Sequence, residues 1–291
     1  MQIRKPIVAG QFYPGSNDDC LKQIAEILES LPTNQDLPST IAAGIVPHAG
    51  WTFSGRTAAM VFWAIKQLHE KVNTFVIFGA AHSYYGNKPA VYNKGCWETP
   101  LGQIAVDEEL AEAVLDAGPA ESNCNAHRGE HSIEVQIPFI QQLFPGAKIL
   151  PVLTPPSEQA ITLGRNIGSL ISQQKQKKII CIGSTDLTHY GPRYGFTPMG
   201  TGHEALEWAD QVNDRQFIDL AVELEPQAIL DGAAENYYAC GPGAAAATIA
   251  SAKTQGVEKG ILLEHTNSNQ VMLQQFGEAG DDSVGYTAII F

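Results

Sequence analysis

The chain has 291 residues, 44% of them hydrophobic and 17% charged, with a formal net charge of −13 at pH 7. That composition supplies an ordinary globular core, and the acidity argues against nucleic acid or an anionic membrane surface as a partner. No apolar run reaches the ~18 residues of a membrane span, and the opening "MQIRKPIVAGQFYPG" lacks the apolar stretch of a secretion signal, so a cytoplasmic location is expected.

In chain order, residues 41–46 read as a short buried strand that breaks at Pro47. Residues 55–69 place Ala58, Val61, Phe62, Ile65 and Leu68 on one helical face. "TFVIFGA", 74–80, is a β-branched and aromatic run ending in glycine, the mark of a strand. Residues 107–117 read as a helix capped by Asp107, and a further helix is expected over 131–144, kinked at Pro138. "AKILPVLT", 147–154, is a strand, and 157–174 a helix opened by Ser157. "KKIICIGS", 177–184, is the strongest strand signal in the chain. Helices follow over 203–220 and 225–234, and another follows "ACGPG" through the alanine run 244–247. "GILLEHT", 260–266, and "VGYTAIIF", 284–291, close as strands. This alternation predicts an α/β fold: a mainly parallel or mixed sheet with helices on both faces. No repeat, low-complexity tract or long linker interrupts it, so a single domain over 1–291 is expected.

The five cysteines, Cys20, Cys96, Cys124, Cys181 and Cys240, are scattered, odd in number and form no CxxC pair. A disulfide framework or a zinc ribbon is therefore not expected.

Ligands of open α/β sheets bind beyond the carboxyl ends of the strands. His48 follows the first strand in "PHAG", His82 follows the second in "GAAHSYYG", and Asp186 and His189 follow the strongest strand in "STDLTHYG". A lone histidine at such a place is usually a satisfied loop or core residue. Three strand ends carrying four such groups, in a chain with eight histidines, point instead to a shared site. The first two strands are expected to be sheet neighbours, which would set His48 and His82 face to face. Two imidazoles need a third ligand to hold a metal. Cys240 in "YYACGPGAAAAT" is a candidate, because a helix start lowers a thiol's pKa and favours the ligating thiolate; the plain alternative is an inert buried cysteine. Glu130, His131 and Glu134 in "HRGEHSIEVQIPF" read either as a charged helix face or as groups that orient ligands and handle protons. Asp186 beside His189 suits a general acid or base, and equally a second metal site. Trp51 is a candidate to stack on a substrate ring.

Taken together, "AGQFYPG", "IVPHAGWTFSG", "FGAAHSYYG", "EHSIEVQIPF", "STDLTHYG" and "ACGPG" resemble the Memo family, whose bacterial and archaeal members are also called AmmeMemoRadiSam system protein B. The resemblance runs from about residue 8 to the closing "DDSVGYTAII" and rests on six motifs in order. It implies a fold similar to the class III extradiol dioxygenases, which hold non-haem Fe(II). Carried over by motif, His48, His82 and Cys240 are the implied metal ligands, with Asp186 and His189 beside them and His189 where the dioxygenases keep a catalytic histidine base. The family name implies an Ammecr-type protein and a radical SAM enzyme as partners. Animal relatives are described as adaptors for phosphotyrosine peptides and as metal-dependent redox proteins. One departure matters: the dioxygenases' third ligand is a carboxylate, and here the matching position is Cys240. Thiolate suits copper(I), zinc or iron of different redox behaviour, so the likeness does not license ring cleavage.

Three functions follow. The first is a redox enzyme with Fe(II), or alternatively copper or zinc, acting on a small-molecule substrate, with His189 steered by Asp186 moving protons. The second is a binding module for an anionic or phosphotyrosine peptide, for which arginines near the motifs are sparse. The third is a zinc hydrolase with Glu130 as base, against which the absence of HExxH counts.

Overall fold

The computed structural model describes residues 2–32 and 37–291. Its elements run β1 (Ile3–Arg4), α1 (Asn17–Glu29), β2 (Ala43–Val46), α2 (Trp51–Leu68), β3 (Thr74–Gly79), β4 (Ala90–Val91), β5 (Cys96–Thr99), β6 (Gly102–Ala105), α3 (Glu108–Ala117) and β7 (Glu121–Ser122). They continue α4 (Ile137–Leu143), β8 (Lys148–Leu153), α5 (Glu158–Gln173), β9 (Ile179–Ser184), β10 (His189–Tyr190), α6 (His203–Trp208), α7 (Asp214–Val222), α8 (Pro226–Asn236), α9 (Pro242–Thr254), β11 (Ile261–Asn267), α10 (Ser268–Phe276) and β12 (Ser283–Ile290).

Among the described residues the main sheet has nine strands, in the order β10-β12-β2-β9-β3-β8-β4-β7, with β11 added on β12. The central strands β2, β9, β3 and β8 are parallel, while β12 runs antiparallel to β2, β10 and β11. A small sheet, β1-β5-β6, lies apart from it. The sheet is therefore mixed, as an α/β chain closed by antiparallel strands requires.

Every residue of β2, β3 and β9 is buried, because helices cover both faces. The strand period of two divides those side chains between two cores. Phe75 and Ile77 of β3 pack with α1, α2 and α4, whereas Val76 and Phe78 pack with α3, α5 and α9. The α5–α9 contact depends on small residues: a Cβ at Gly164 would overlap the Ala247 carbonyl. Among the described residues no helix is long and apolar enough to cross a membrane.

Four expectations are corrected. The strands β2 and β3 are not neighbours, since β9 lies between them and pairs with both. The crossover through α2 skips one position, and β9, buried along its whole length, fills that slot. The helix expected over 131–144 is a 3₁₀ turn, Glu134–Gln136, followed by α4, and Pro138 sits in the first turn of α4. There its missing N–H costs nothing, so it starts a helix rather than kinking one. The helix expected over 203–220 is broken by a π turn at Ala209–Asn213. Ser157 stands at the start of α5 but its side chain makes no capping bond, whereas Asp107 does cap α3, accepting from Leu110 N.

Candidate metal centre

The carboxyl ends of β2, β3 and β9 bring His48, His82 and Asp186 together. Asp186 leaves the sheet from β9, the strand that lies between the two that carry the histidines. The His48 and His82 rings are 5.1 Å apart, edge to face. Cys240 reaches them from the turn before α9. Gly241 makes that approach possible, since a Cβ there would lie 2.7 Å from the Ser184 carbonyl oxygen.

His48 is held from three sides. Its backbone N donates to Asp186 Oδ1 at 2.6 Å, its Nδ1 lies 3.1 Å from Ser184 Oγ, and its Nε2 lies 3.2 Å from Cys240 Sγ. The sulfur also accepts from Asp186 N at 3.3 Å. His82 is fixed by one carboxylate: Glu130 accepts from His82 N and from Nδ1, both at 3.0 Å. Glu130 is fully buried and also accepts from the N–H groups of His131 and Ser132.

His131 enters as a third imidazole. Its ring stacks on His82 at 5.0 Å and meets His48 edge-on at 5.4 Å. Donor atoms of His48, His82 and His131 all lie within 4.8 Å of one another, and so do those of His48, Asp186 and Cys240. His48 belongs to both groups. Of the residues read from sequence as ligands, His82 falls in the first group and Cys240 in the second, and His131, read there only as a proton-handling or orienting group, joins the first as a donor. Its signal was faint: it follows no strand, and only its adjacency to Glu130 marks it.

The electrostatics favour the thiolate at Cys240 but hold His48 and His82 protonated, so a metal binds here by displacing imidazole protons. Burial pushes the Cys240 thiol up, but the His48, His189 and His82 imidazoles outweigh it and hold the thiol well below its usual range. Burial pulls His48 down, while Cys240 and Asp186 raise it to about 9. Burial and the neighbouring His48 charge lower His131 to about 4, which keeps it neutral. Burial works against the Glu130 carboxylate, yet His82 and the backbone N–H groups hold it down to about 2. Desolvation raises Asp186.

The donor set fits a transition metal. Bonds of about 2.1 Å to nitrogen and 2.3 Å to sulfur spaced by the 3.2 Å between Nε2 and Sγ subtend roughly 90°. Thiolate with imidazole selects a soft or borderline ion over magnesium or calcium. His189 adds an observation of its own: its Nε2 is buried without a hydrogen-bond partner, 3.9 Å from Asp186 Oδ2.

Cys240 lines a small pocket with His189 and Tyr194, whereas His48, His82, His131, Asp186 and His189 line a neighbouring cavity of about 710 Å³, together with Phe12, Phe53, Tyr194, Met272 and Tyr286 and with Arg193 and Asp282. Trp51 is not part of it. Its indole is buried, stacked on Phe139 at 4.4 Å with Nε1 donating to Val135 O, so the ring suited to stacking on a ligand is committed to the core beneath α2. Half-buried Phe12 takes the aromatic place in the cavity wall, 4.9 Å from the His131 ring. Glu130 does not line the cavity either. It acts through His82 and has no access to a substrate-bound water.

A family model described as Memo-like protein matches residues 4–290. A MEMO1 family protein of Pyrococcus furiosus is 37% identical over 99% of this chain and 98% of its own. MEMO1 family proteins of Thermococcus kodakarensis and Methanosarcina barkeri are each 35% identical, over 99% of both chains. In three dimensions the chain is similar to an uncharacterized protein of Escherichia coli K12, with a TM-score of 0.52, 13% identity, and 85% of this chain and 99% of that one covered.

Proposed function

The chain belongs to the Memo-like protein family, and from that premise we propose that it is a metal-dependent redox enzyme, with Fe(II) or copper held by His48, His82 and Cys240. The observation that carries this reading is that His48 shares one group of close donors with His82 and His131 and another with Asp186 and Cys240, and that all of these but the thiolate line one cavity. A bound ion there supplies one-electron chemistry and an open coordination position for a small substrate or oxidant.

The protein's own residues do the rest. Glu130 fixes the His82 ring and its tautomer through Nδ1. Ser184 does the same for His48 through Nδ1, leaving Nε2 to face Cys240. His189, with an unpartnered Nε2 near Asp186, takes or gives a proton at that atom. Phe12, Phe53 and Met272 exclude water from the floor and favour a substrate with an apolar body.

A peptide adaptor is less well served by this cavity. Arg193 is opposed by Asp186 and Asp282 on the same walls, which is a poor match for a phosphate dianion. Anaerobic loading with Fe(II) or Cu(I) tests the proposal. Wild type is expected to take up one redox-active ion per chain at the centre, and His48→Ala to lose it. Protein that stays free of both metals after loading would overturn the reading.

A further inference from the structure

A second group of ligand-type side chains lies on the far side of β12. Asp210, Asp214 and His265 bring donor atoms within 4.8 Å of one another. The π turn Ala209–Asn213 sets this up. Its wide turn brings two carboxylates four residues apart onto one imidazole nitrogen. His265 Nε2 lies 3.5 Å from Asp210 Oδ1 and 3.2 Å from Asp214 Oδ2. The carboxylates are largely out of water, with side chains 11% and 2% exposed. Among the described residues no lysine or arginine pairs with either, which leaves His265 as the basic side chain between them. Gly285 on β12 makes room, because a Cβ there would overlap the Asp214 carboxylate.

We propose that Asp210, Asp214 and His265 bind a divalent transition cation, zinc or manganese, at a site separate from the His48 centre. One ion at about 2.1 Å from each donor makes separations of 3.2 and 3.5 Å into angles of roughly 100–120°, near tetrahedral. Two carboxylates and one imidazole are the donors such ions take. Water completes the shell from a polar cavity of about 510 Å³ that His265 also lines.

The remaining bonds say what the ion does. Asp214 Oδ1 accepts from Thr188 N at 2.9 Å, which pins the loop between Asp186 and His189. Asp210 Oδ1 accepts from Asn267 Nδ2 at 2.9 Å, and Asn267 caps α10, whose Ser268, Asn269 and Met272 line the main cavity. The cation braces two walls of that cavity from behind.

Zinc stoichiometry by equilibrium dialysis of metal-stripped protein tests this. Wild type is expected to bind two zinc ions per chain, and His265→Gln or Asp210→Asn one. The double variant His48→Ala/Cys240→Ser is expected to keep one ion, which adding H265Q removes. If H265Q fails to fold, judged by circular dichroism, D210N, at the more exposed of the two carboxylates, decides by the same count. Equal zinc counts in wild type and the folded variant overturn the proposal, whereas loss of the ion sensitive to H48A alone bears only on the first centre.

Discussion

Glu130→Gln separates orientation of the centre from its ligands. The carboxylate touches neither cavity nor substrate, yet it accepts four hydrogen bonds, two of them from His82. An amide keeps the shape but offers one acceptor oxygen. If that oxygen keeps the three bonds at Oε1, the NH₂ faces the His82 N–H, leaving a buried donor unpaired at about 1–3 kcal/mol. The His82 imidazole also loses its anionic partner. Losses of this kind lower metal affinity about 10–100-fold, or ~1.4–2.8 kcal/mol. Competition with a chromophoric chelator measures the affinity, and thermal unfolding of the apo form measures the stability. Affinity within about twofold of wild type, in folded E130Q, would refute the claim that Glu130 sets the His82 ring.

Two further predictions concern the frame. Gly164→Ala should destabilise by roughly 1–3 kcal/mol through overpacking against the Ala247 carbonyl, although alanine favours a helix by about 1 kcal/mol; a neutral or raised urea midpoint contradicts this. Burial, with the nearby Arg4 charge, lowers the His127 pKa from 6.5 to about 3 despite its bond to Ala90 O. The unfolded chain therefore takes up this proton first. The contribution is fully present above pH 6.5 and fades as pH falls from 6.5 toward 3, at up to about 1.4 kcal/mol per pH unit. His127→Gln should flatten that slope in urea titrations between pH 7 and 4, and an unchanged slope counts against it.

Much of the site was legible because the strand-end rule is geometric. His48, His82, Asp186 and His189 each follow a hydrophobic run that had to be a central strand. Cys240, which no periodicity marks, stands out only by its place before a helix start, and the family motifs point to the same residue. What the sequence could not show was lateral order. The slot between β2 and β3 belongs to β9, a strand some hundred residues downstream of β3, and pairing at that separation leaves no local trace. Trp51 misled for a related reason: adjacency to a candidate ligand says nothing about which way a residue at a helix start turns. The helix α10 escaped notice because none of its residues is buried, so it has no apolar stripe to read. The helix α1 starts at Ser16, whose side chain accepts from Asp19 N, a serine cap of the kind that marks helix starts in sequence.

X-ray absorption at the edge of the loaded metal addresses the central claim most directly. Nitrogen neighbours near about 2.1 Å with a single sulfur near about 2.3 Å, and loss of only the sulfur shell in Cys240→Ser, is the predicted spectrum. A metal bound with no sulfur neighbour in wild type would contradict it.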